Sequence, residues 1–90
     1  MGKVLVVVKV LPQEENTDLD LLYDEIKENL PEKVSLKSYK KEDIAFGLKA
    51  LKLYFEIPDN LEGGTSVIED FLRKNEKIQE IEIEFISLVK

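Results

Sequence analysis

The sequence predicts an α+β fold, in which a four-stranded antiparallel sheet is covered on one face by two helices. Four segments have the short apolar or alternating pattern of strands, and two segments have helical periodicity. Their order along the 90 residues is strand, helix, strand, strand, helix, strand. A chain of this length can bury one hydrophobic core, so residues 1–90 are expected to form a single domain.

The first strand is predicted over Lys3–Leu11, where β-branched and other apolar residues dominate. One face carries four valines: Val4, Val6, Val8 and Val10. The other face is also largely apolar, which is typical of a strand in the middle of a sheet. Pro12 is expected to end the strand because proline cannot donate a hydrogen bond to a neighbouring strand.

The first helix is predicted to begin at Thr17, because Thr17 and Asp20 have the spacing of a capping box. Apolar residues then follow helical spacing along one side, at Leu19, Leu22, Tyr23, Ile26 and Leu30. Pro31 is expected to stop the helix soon after Asn29.

The middle of the chain is predicted to form two strands joined by a connection over Asp43–Gly47. Strand two, Val34–Tyr39, is short and polar, and we expect it at a sheet edge. Three lysines would discourage that edge from pairing with another chain: Lys37, Lys40 and Lys41. Strand three, Leu48–Ile57, places four apolar residues on one face: Leu51, Leu53, Phe55 and Ile57.

The last third of the chain is predicted to contain the second helix and the fourth strand. Ser66 followed by Glu69 again has capping-box spacing. The apolar stripe of this helix consists of Val67, Ile68, Phe71 and Leu72. Alternation over Ile78–Phe85 predicts a strand with Ile81, Ile83 and Phe85 facing inward and Glu80, Glu82 and Glu84 facing outward. Ser87–Lys90 is expected to be a short tail.

The six elements in this order are typical of the split βαβ, or ferredoxin-like, fold. In this βαββαβ arrangement both helices lie on one face of the sheet. The expected strand order across the antiparallel sheet is 4-1-3-2.

The charge of the chain argues against a nucleic-acid partner. The net charge is −6, whereas contacts from basic residues to phosphates provide most of the affinity of nucleic-acid binders. An acidic surface instead favours a protein partner with a basic surface, because complementary charge speeds their encounter.

The chain contains no cysteine and no histidine. Their absence removes thiol nucleophiles, the usual zinc ligands and the commonest general base at neutral pH. We therefore expect no enzymatic activity, no catalytic residues, no metal site and no cofactor. The apolar N-terminal run is interrupted by Lys3 and Lys9 and is too short to span a membrane, so we expect a cytoplasmic protein without membrane contact.

Three patterns could support chemistry, but each has a simpler interpretation. The segment Gly63–Thr65 could hold an anion at a helix N-terminus, yet it lacks the lysine of a phosphate loop, and a flexible turn is favoured. The three glutamates of the last strand could bind a cation, but a solvated strand face is favoured. Tyrosines on the sheet could stack on bases, although strand one carries no aromatic residue.

Phe46 lies outside the regular alternation, between Ala45 and Gly47. Glycine allows the chain to turn here and to present the neighbouring side chain. A large aromatic residue at a turn is either packed into the core or exposed as an anchor for a partner. The residues alone leave both alternatives open.

Three segments of the sequence resemble the archaeal elongation factor 1-beta family. The most specific is Asp43–Leu51, which contains the pattern Ala-Phe-Gly-Leu-x-Ala-Leu. Two shorter segments occur at the matching positions, Val8–Pro12 at the end of strand one and Glu62–Thr65 before the second helix. The resemblance extends over essentially the whole chain. It also includes the C-terminal catalytic module of the eukaryotic factor, which has a Gly-Phe-Gly-Ile-Lys-Lys-Leu version of the first segment.

The resemblance implies a ferredoxin-like fold and a role in nucleotide exchange on the GTPase elongation factor 1-alpha, without covalent change of a substrate. Phe46 matches the aromatic residue that inserts into the GTPase in the eukaryotic module. That module also has a penultimate lysine that approaches the magnesium site, whereas here Lys90 is the last residue and the match is offset by one position. The partner-binding residues implied are Ala45, Phe46, Gly47, Lys49, Ser87 and Lys90.

Two other functions are compatible with the predicted fold. One is an RNA-binding ferredoxin-like domain of the ribosomal type, which would require a basic surface patch. The other is a ligand-sensing regulatory domain that dimerises through its sheet, which would require a pocket at the dimer interface. We expect a monomer that binds elongation factor 1-alpha.

Overall fold

A computed structural model describes residues 2–89 of the chain. The elements are β1 (Lys3–Pro12), α1 (Leu19–Glu28), β2 (Ser35–Ala45), β3 (Leu48–Pro58), α2 (Thr65–Arg73) and β4 (Ile78–Val89). The strands form one antiparallel sheet in the order β2-β3-β1-β4. Read from the opposite edge this is 4-1-3-2, so the predicted ferredoxin-like α+β fold is confirmed. Neither helix is long and apolar enough to cross a bilayer.

The core lies between the sheet and the two helices. From β1 it takes the three valines that are fully buried, Val6, Val8 and Val10. From β3 it takes Leu51, Leu53, Phe55 and Ile57, and from the helices Leu19, Leu22, Ile26, Ile68 and Leu72. These are the apolar faces that the sequence predicts. The opposite side of the sheet has no helix on it, and we call it the open face.

Strand β4 departs from the predicted alternation through a β-bulge. Val8 pairs with Ile83, but the adjacent Val7 pairs with Phe85, so Glu84 is an extra residue on β4. Phe85 therefore lies opposite Val7 on the open face, and 55% of its surface is exposed. The prediction that Phe85 faces inward is wrong, because one inserted residue interrupts the period of two.

The C-terminal residues also differ from the prediction. Strand β4 continues to Val89, and Ser87 pairs with Leu5 of β1. The predicted tail is therefore, as far as Val89, part of the sheet. The last residue, Lys90, lies outside the described residues.

The β2–β3 hairpin is longer than predicted. β2 extends to Ala45, so the connection consists only of Phe46 and Gly47 and not of the whole segment Asp43–Gly47. Most of β2 is exposed, and its pairing with β3 shifts register twice, after Leu36 and after Asp43. A charged edge strand with two irregularities does not show the alternation by which strands are recognised.

Both predicted capping boxes are wrong. Asp18 is the N-cap of α1, and its Oδ1 accepts hydrogen bonds from the amides of Asp20 and Leu21 at 3.1 and 3.2 Å. The Thr17 hydroxyl instead donates to the carbonyl of Glu14, so it belongs to the preceding turn. Helix α2 begins after Gly64 and has no side-chain cap.

Candidate partner-binding site

The β2–β3 hairpin ends in a two-residue turn formed by Phe46 and Gly47. Their φ angles are +51° and +80°. Positive φ at both central residues is characteristic of the type I′ turn, whose twist matches that of the flanking strands. Glycine adopts this conformation without steric cost, whereas for a bulky residue such as Phe46 it is strained.

Phe46 is fully exposed to solvent. Burial of a phenylalanine side chain stabilises a protein by about 1.5–3 kcal/mol, and Phe46 contributes none of this to the isolated domain. The sequence thus places an aromatic residue where it costs backbone strain and gains no packing. A strained backbone conformation at an exposed residue is typical of functional positions. Of the two alternatives, core or anchor, the structure excludes the core.

The turn belongs to a projecting segment that we call the hairpin tip, residues 43–49. Pairing between β1 and β3 ends at Val10 and Leu51, so the tip extends beyond the central strand as a two-stranded ribbon. Ala45 and Gly47 are exposed on either side of Phe46.

Two further apolar residues of the tip were not predicted from the sequence. Ile44 is 42% exposed and Leu48 is 39% exposed, so the tip presents three large apolar side chains within five residues. The available signal was a run of apolar residues around a Phe-Gly pair in a segment flanked by charged residues. Strand alternation alone assigns such residues to a core.

Two lysines follow the turn on β3, Lys49 and Lys52, and both lie near carboxylates. Lys49 Nζ lies 4.0 Å from Asp43 Oδ1, and both side chains are exposed, so this ion pair contributes little to stability. On the open face Lys52 lies 3.4 Å from Glu84 and 3.9 Å from Glu42. Lys52 therefore has two carboxylate neighbours on the open face, whereas Lys49, next to the turn, has one.

Among the candidate residues that the structure describes, Phe46 and Ser87 do not lie together. Strand β3 starts next to the turn at Leu48 and ends at Pro58, which is paired with Lys3, and Lys3 is paired with Val89. Eleven residues of strand span roughly 33 Å. Half-buried Ser87 therefore lies at the opposite end of the sheet from Phe46, along a molecule whose longest dimension is 42 Å.

A polar cluster at the base of the hairpin joins β2 to α1. The Tyr39 hydroxyl and the Lys41 ammonium both donate to the carboxylate of Asp20, at 2.7 and 3.0 Å. These two hydrogen bonds lower the pKa of Asp20, the one from Tyr39 having the larger effect. The same bond raises the pKa of Tyr39. The cluster fixes the strand from which the tip projects.

Comparison with known proteins identifies the family. The family model described as the EF-1 guanine nucleotide exchange domain matches residues 5–89. Elongation factor 1-beta of Staphylothermus marinus is 45% identical over 89 residues, which cover 99% of each chain.

Two further relatives carry the same name. Elongation factor 1-beta of Hyperthermus butylicus is 46% identical over 99% of this chain and 97% of its own. That of Desulfurococcus amylolyticus is 41% identical over 97% of each. The resemblance found in the sequence is thereby confirmed: the chain belongs to the family of EF-1 guanine nucleotide exchange domains.

Proposed function

We propose that this protein promotes the exchange of GDP for GTP on elongation factor 1-alpha, with the hairpin tip as a docking element and Phe46 as its anchor. The observation that carries the proposal is the complete exposure of Phe46 at a strained turn. Aromatic residues that become buried on binding dominate the energetics of many interfaces. Ala45, Gly47 and Lys49 flank the anchor in this proposal.

The energetic requirement for such a factor is differential binding. It must bind the nucleotide-free GTPase more tightly than the GDP-bound form, and by linkage GDP and the factor then weaken each other equally. A coupling free energy of about 3 kcal/mol lowers GDP affinity roughly 100-fold. The factor supplies binding energy and carries out no covalent chemistry, so it acts as an exchange factor and not as a catalyst of a chemical reaction.

A second contact is proposed at the other end of the sheet. The family resemblance implies that the C-terminal residues approach the magnesium and nucleotide site, and we assign this contact to Ser87 and Lys90. Ser87 and the hairpin turn are roughly 30 Å apart along the sheet, so the GTPase would be engaged at two separate places. We propose that the chain acts as a single domain, as a monomer, in the cytoplasm.

The RNA-binding alternative has little support. The relatives are exchange factors, and the open face carries the exposed carboxylates of β4 along one edge. Acidic side chains repel the phosphate backbone.

The proposal is tested by following the release of a fluorescent GDP analogue from elongation factor 1-alpha in a stopped-flow instrument. Phe46→Ala should raise the half-saturating concentration of the factor at least tenfold, as expected for an interface anchor, and should leave thermal unfolding unchanged. Leu21→Ala is the matched control, because Leu21 is a 62% exposed apolar residue on α1. The proposal is wrong if the wild-type protein does not accelerate release, or if Phe46→Ala behaves as the control does.

A further inference from the structure

We infer that the open face of the sheet is the surface along which the GTPase lies between the two proposed contacts. The inference rests on the proposed function and adds to it a third, central contact area with a defined chemistry. Its features are an apolar band in the middle of the face and an acidic edge along β4.

The apolar band crosses three neighbouring strands. Tyr54 pairs with Val7, and Val7 pairs with Phe85, so these residues form one row across the open face. Leu5, two positions along β1, extends the band toward Ser87. Phe85 is 55% exposed, and Leu5 and Tyr54 are half-buried. The helices pack on the other side of the sheet, so within residues 2–89 no helix lies over this row, in which Val7 is buried by its neighbours.

Four lysines of the open face lie near carboxylates, whereas Lys40, which pairs across the sheet with Lys52, forms no ion pair within residues 2–89. Lys9 and Lys52 both approach Glu42, at 4.0 and 3.9 Å, and Lys52 also approaches Glu84 at 3.4 Å. The neighbouring carboxylate of Glu84 is the main cause of the raised pKa of Lys52. At the end of the face that is far from the hairpin tip, Lys3 and Lys37 approach Glu56 at 3.4 and 3.9 Å.

Two carboxylates on the β4 edge, Glu80 and Glu82, lie within 4.0 Å of no basic side chain of residues 2–89, although Lys9 is the cross-strand neighbour of Glu82. Glu80 pairs across the sheet with Leu11. Both glutamates are exposed. The partner surface that fits here therefore has an apolar centre opposite Phe85 and basic side chains opposite Glu80 and Glu82.

The open face connects the two proposed contacts without obstruction. By strand alternation, Leu48 of the tip lies on the same side of β3 as Lys52 and Tyr54, and Ser87 lies beside Leu5 at the other end. The opposite side of the sheet carries two helices, each about 10 Å thick with its side chains. A partner that reaches both ends from the helical side would have to pass over that layer.

The inference is tested with two open-face variants, each with a matched control on the helical layer. Phe85→Ala removes the centre of the band, and its control is Leu21→Ala, a residue of similar exposure. Glu82→Lys reverses the acidic edge, and its control is Glu28→Lys, an exposed glutamate on α1. In the GDP-release assay each open-face variant should raise the half-saturating concentration about tenfold, whereas the controls should stay within twofold of wild type.

A second measurement locates the contact directly. Saturation transferred from protonated elongation factor 1-alpha to a deuterated, methyl-labelled form of this protein should attenuate the methyl signals of Leu5 and Leu11. The signals of Leu21 and Val67, on the helical layer, should be unaffected. Thermal unfolding of each variant shows whether the fold is retained, and the wild-type saturation experiment does not depend on any variant folding.

The outcomes separate this inference from the proposed function. If Phe46→Ala impairs exchange while Phe85→Ala and Glu82→Lys match their controls, the hairpin contact stands and the open-face contact is overturned. If sedimentation shows a wild-type dimer that Phe85→Ala dissociates without altering exchange, the occupant is a second copy and the inference is also overturned. If the wild-type protein does not accelerate GDP release at all, both proposals fail.

Discussion

The rings of Tyr23 and Tyr39 stack with their centroids 3.9 Å apart and their planes inclined by 21°. This contact joins α1 to the edge strand β2, next to the bonds from Tyr39 and Lys41 to Asp20. An edge strand has only one hydrogen-bonded neighbour, so side-chain contacts contribute more to its position than they do in a central strand. The direction in which Phe46 is presented thus depends on residues that no partner needs to touch.

The Asp20 cluster predicts how stability depends on pH. The folded-state pKa of Asp20 is below its ordinary value of 3.8. The ionised carboxylate therefore stabilises the fold above pH 3.8, and this contribution is lost as the pH falls through the lower folded-state value. Asp20→Asn should remove this part of the pH dependence in denaturant titrations between pH 2 and pH 7. Asp70→Asn, an exposed position on α2, is the control and should follow wild type.

The contribution of Tyr39 to stability has the opposite pH dependence and is lost at high pH. The folded-state pKa of Tyr39 is raised above 10.0 by the hydrogen bond to Asp20, so its contribution is present below pH 10 and is lost as the pH rises through the folded-state value. Tyr39→Phe should abolish the stability loss attributed to this residue. An unchanged pH profile in both variants would show that the cluster does not couple α1 to β2.

Replacement of Phe46 by asparagine should stabilise the protein and impair its function. Asn-Gly is the preferred pair for a type I′ turn, because asparagine tolerates positive φ, and relief of the strain on phenylalanine is worth about 1 kcal/mol. Chemical denaturation should show the gain in unfolding free energy, and the GDP-release assay should show weaker docking. A loss of stability in Phe46→Asn would mean that the phenyl ring packs within the domain.

The N-cap of α1 gives a test of local structure. Asp18→Ala should destabilise the protein by about 1 kcal/mol, because two amides at the start of the helix lose their acceptor. Thr17→Ala removes only a hydrogen bond within the preceding turn and should cost less. Equal losses, measured by urea titration, would contradict the assignment of Asp18 as the cap.

The proposed C-terminal contact should be tested with a point substitution and not with a deletion. Deletion of residues 87–90 would remove the pairs that Ser87, Leu88 and Val89 form with β1, so it should lower stability as well as exchange. Lys90→Ala should slow GDP release at saturating factor while leaving thermal unfolding unchanged. If Lys90→Ala releases GDP at the wild-type rate, the proposed C-terminal contact does not involve this lysine.

The sequence was sufficient to predict the fold and its core. The apolar residues of β1, β3, α1 and α2 repeat with the periods of their elements, and burial of those stripes against one another permits few arrangements. The predicted faces of β1 and β3 are buried as expected. The family could also be inferred, because the Phe-Gly segment and its flanking residues are specific.

The predictions that failed concern features that are decided by a single inserted residue or by competing local hydrogen bonds. The bulge at Glu84 moves Phe85 to the open face, and one residue of register carries no signal in a sequence where apolar and acidic residues simply alternate. In the same way, Asp18 and Thr17 are both suitable caps, and only the path of the loop decides which oxygen meets the free amides.

The sequence was sufficient to single out Phe46 and the turn at its glycine neighbour, but it did not show whether the Phe46 side chain is exposed. Hydrophobicity favours burial of phenylalanine wherever the chain permits it. Only the tertiary structure shows that the hairpin extends beyond β1, where neither helix nor strand can reach the ring. The physical reason is that local periodicity specifies which residues can be buried, whereas the relative lengths of neighbouring strands decide which of them find a partner within the domain.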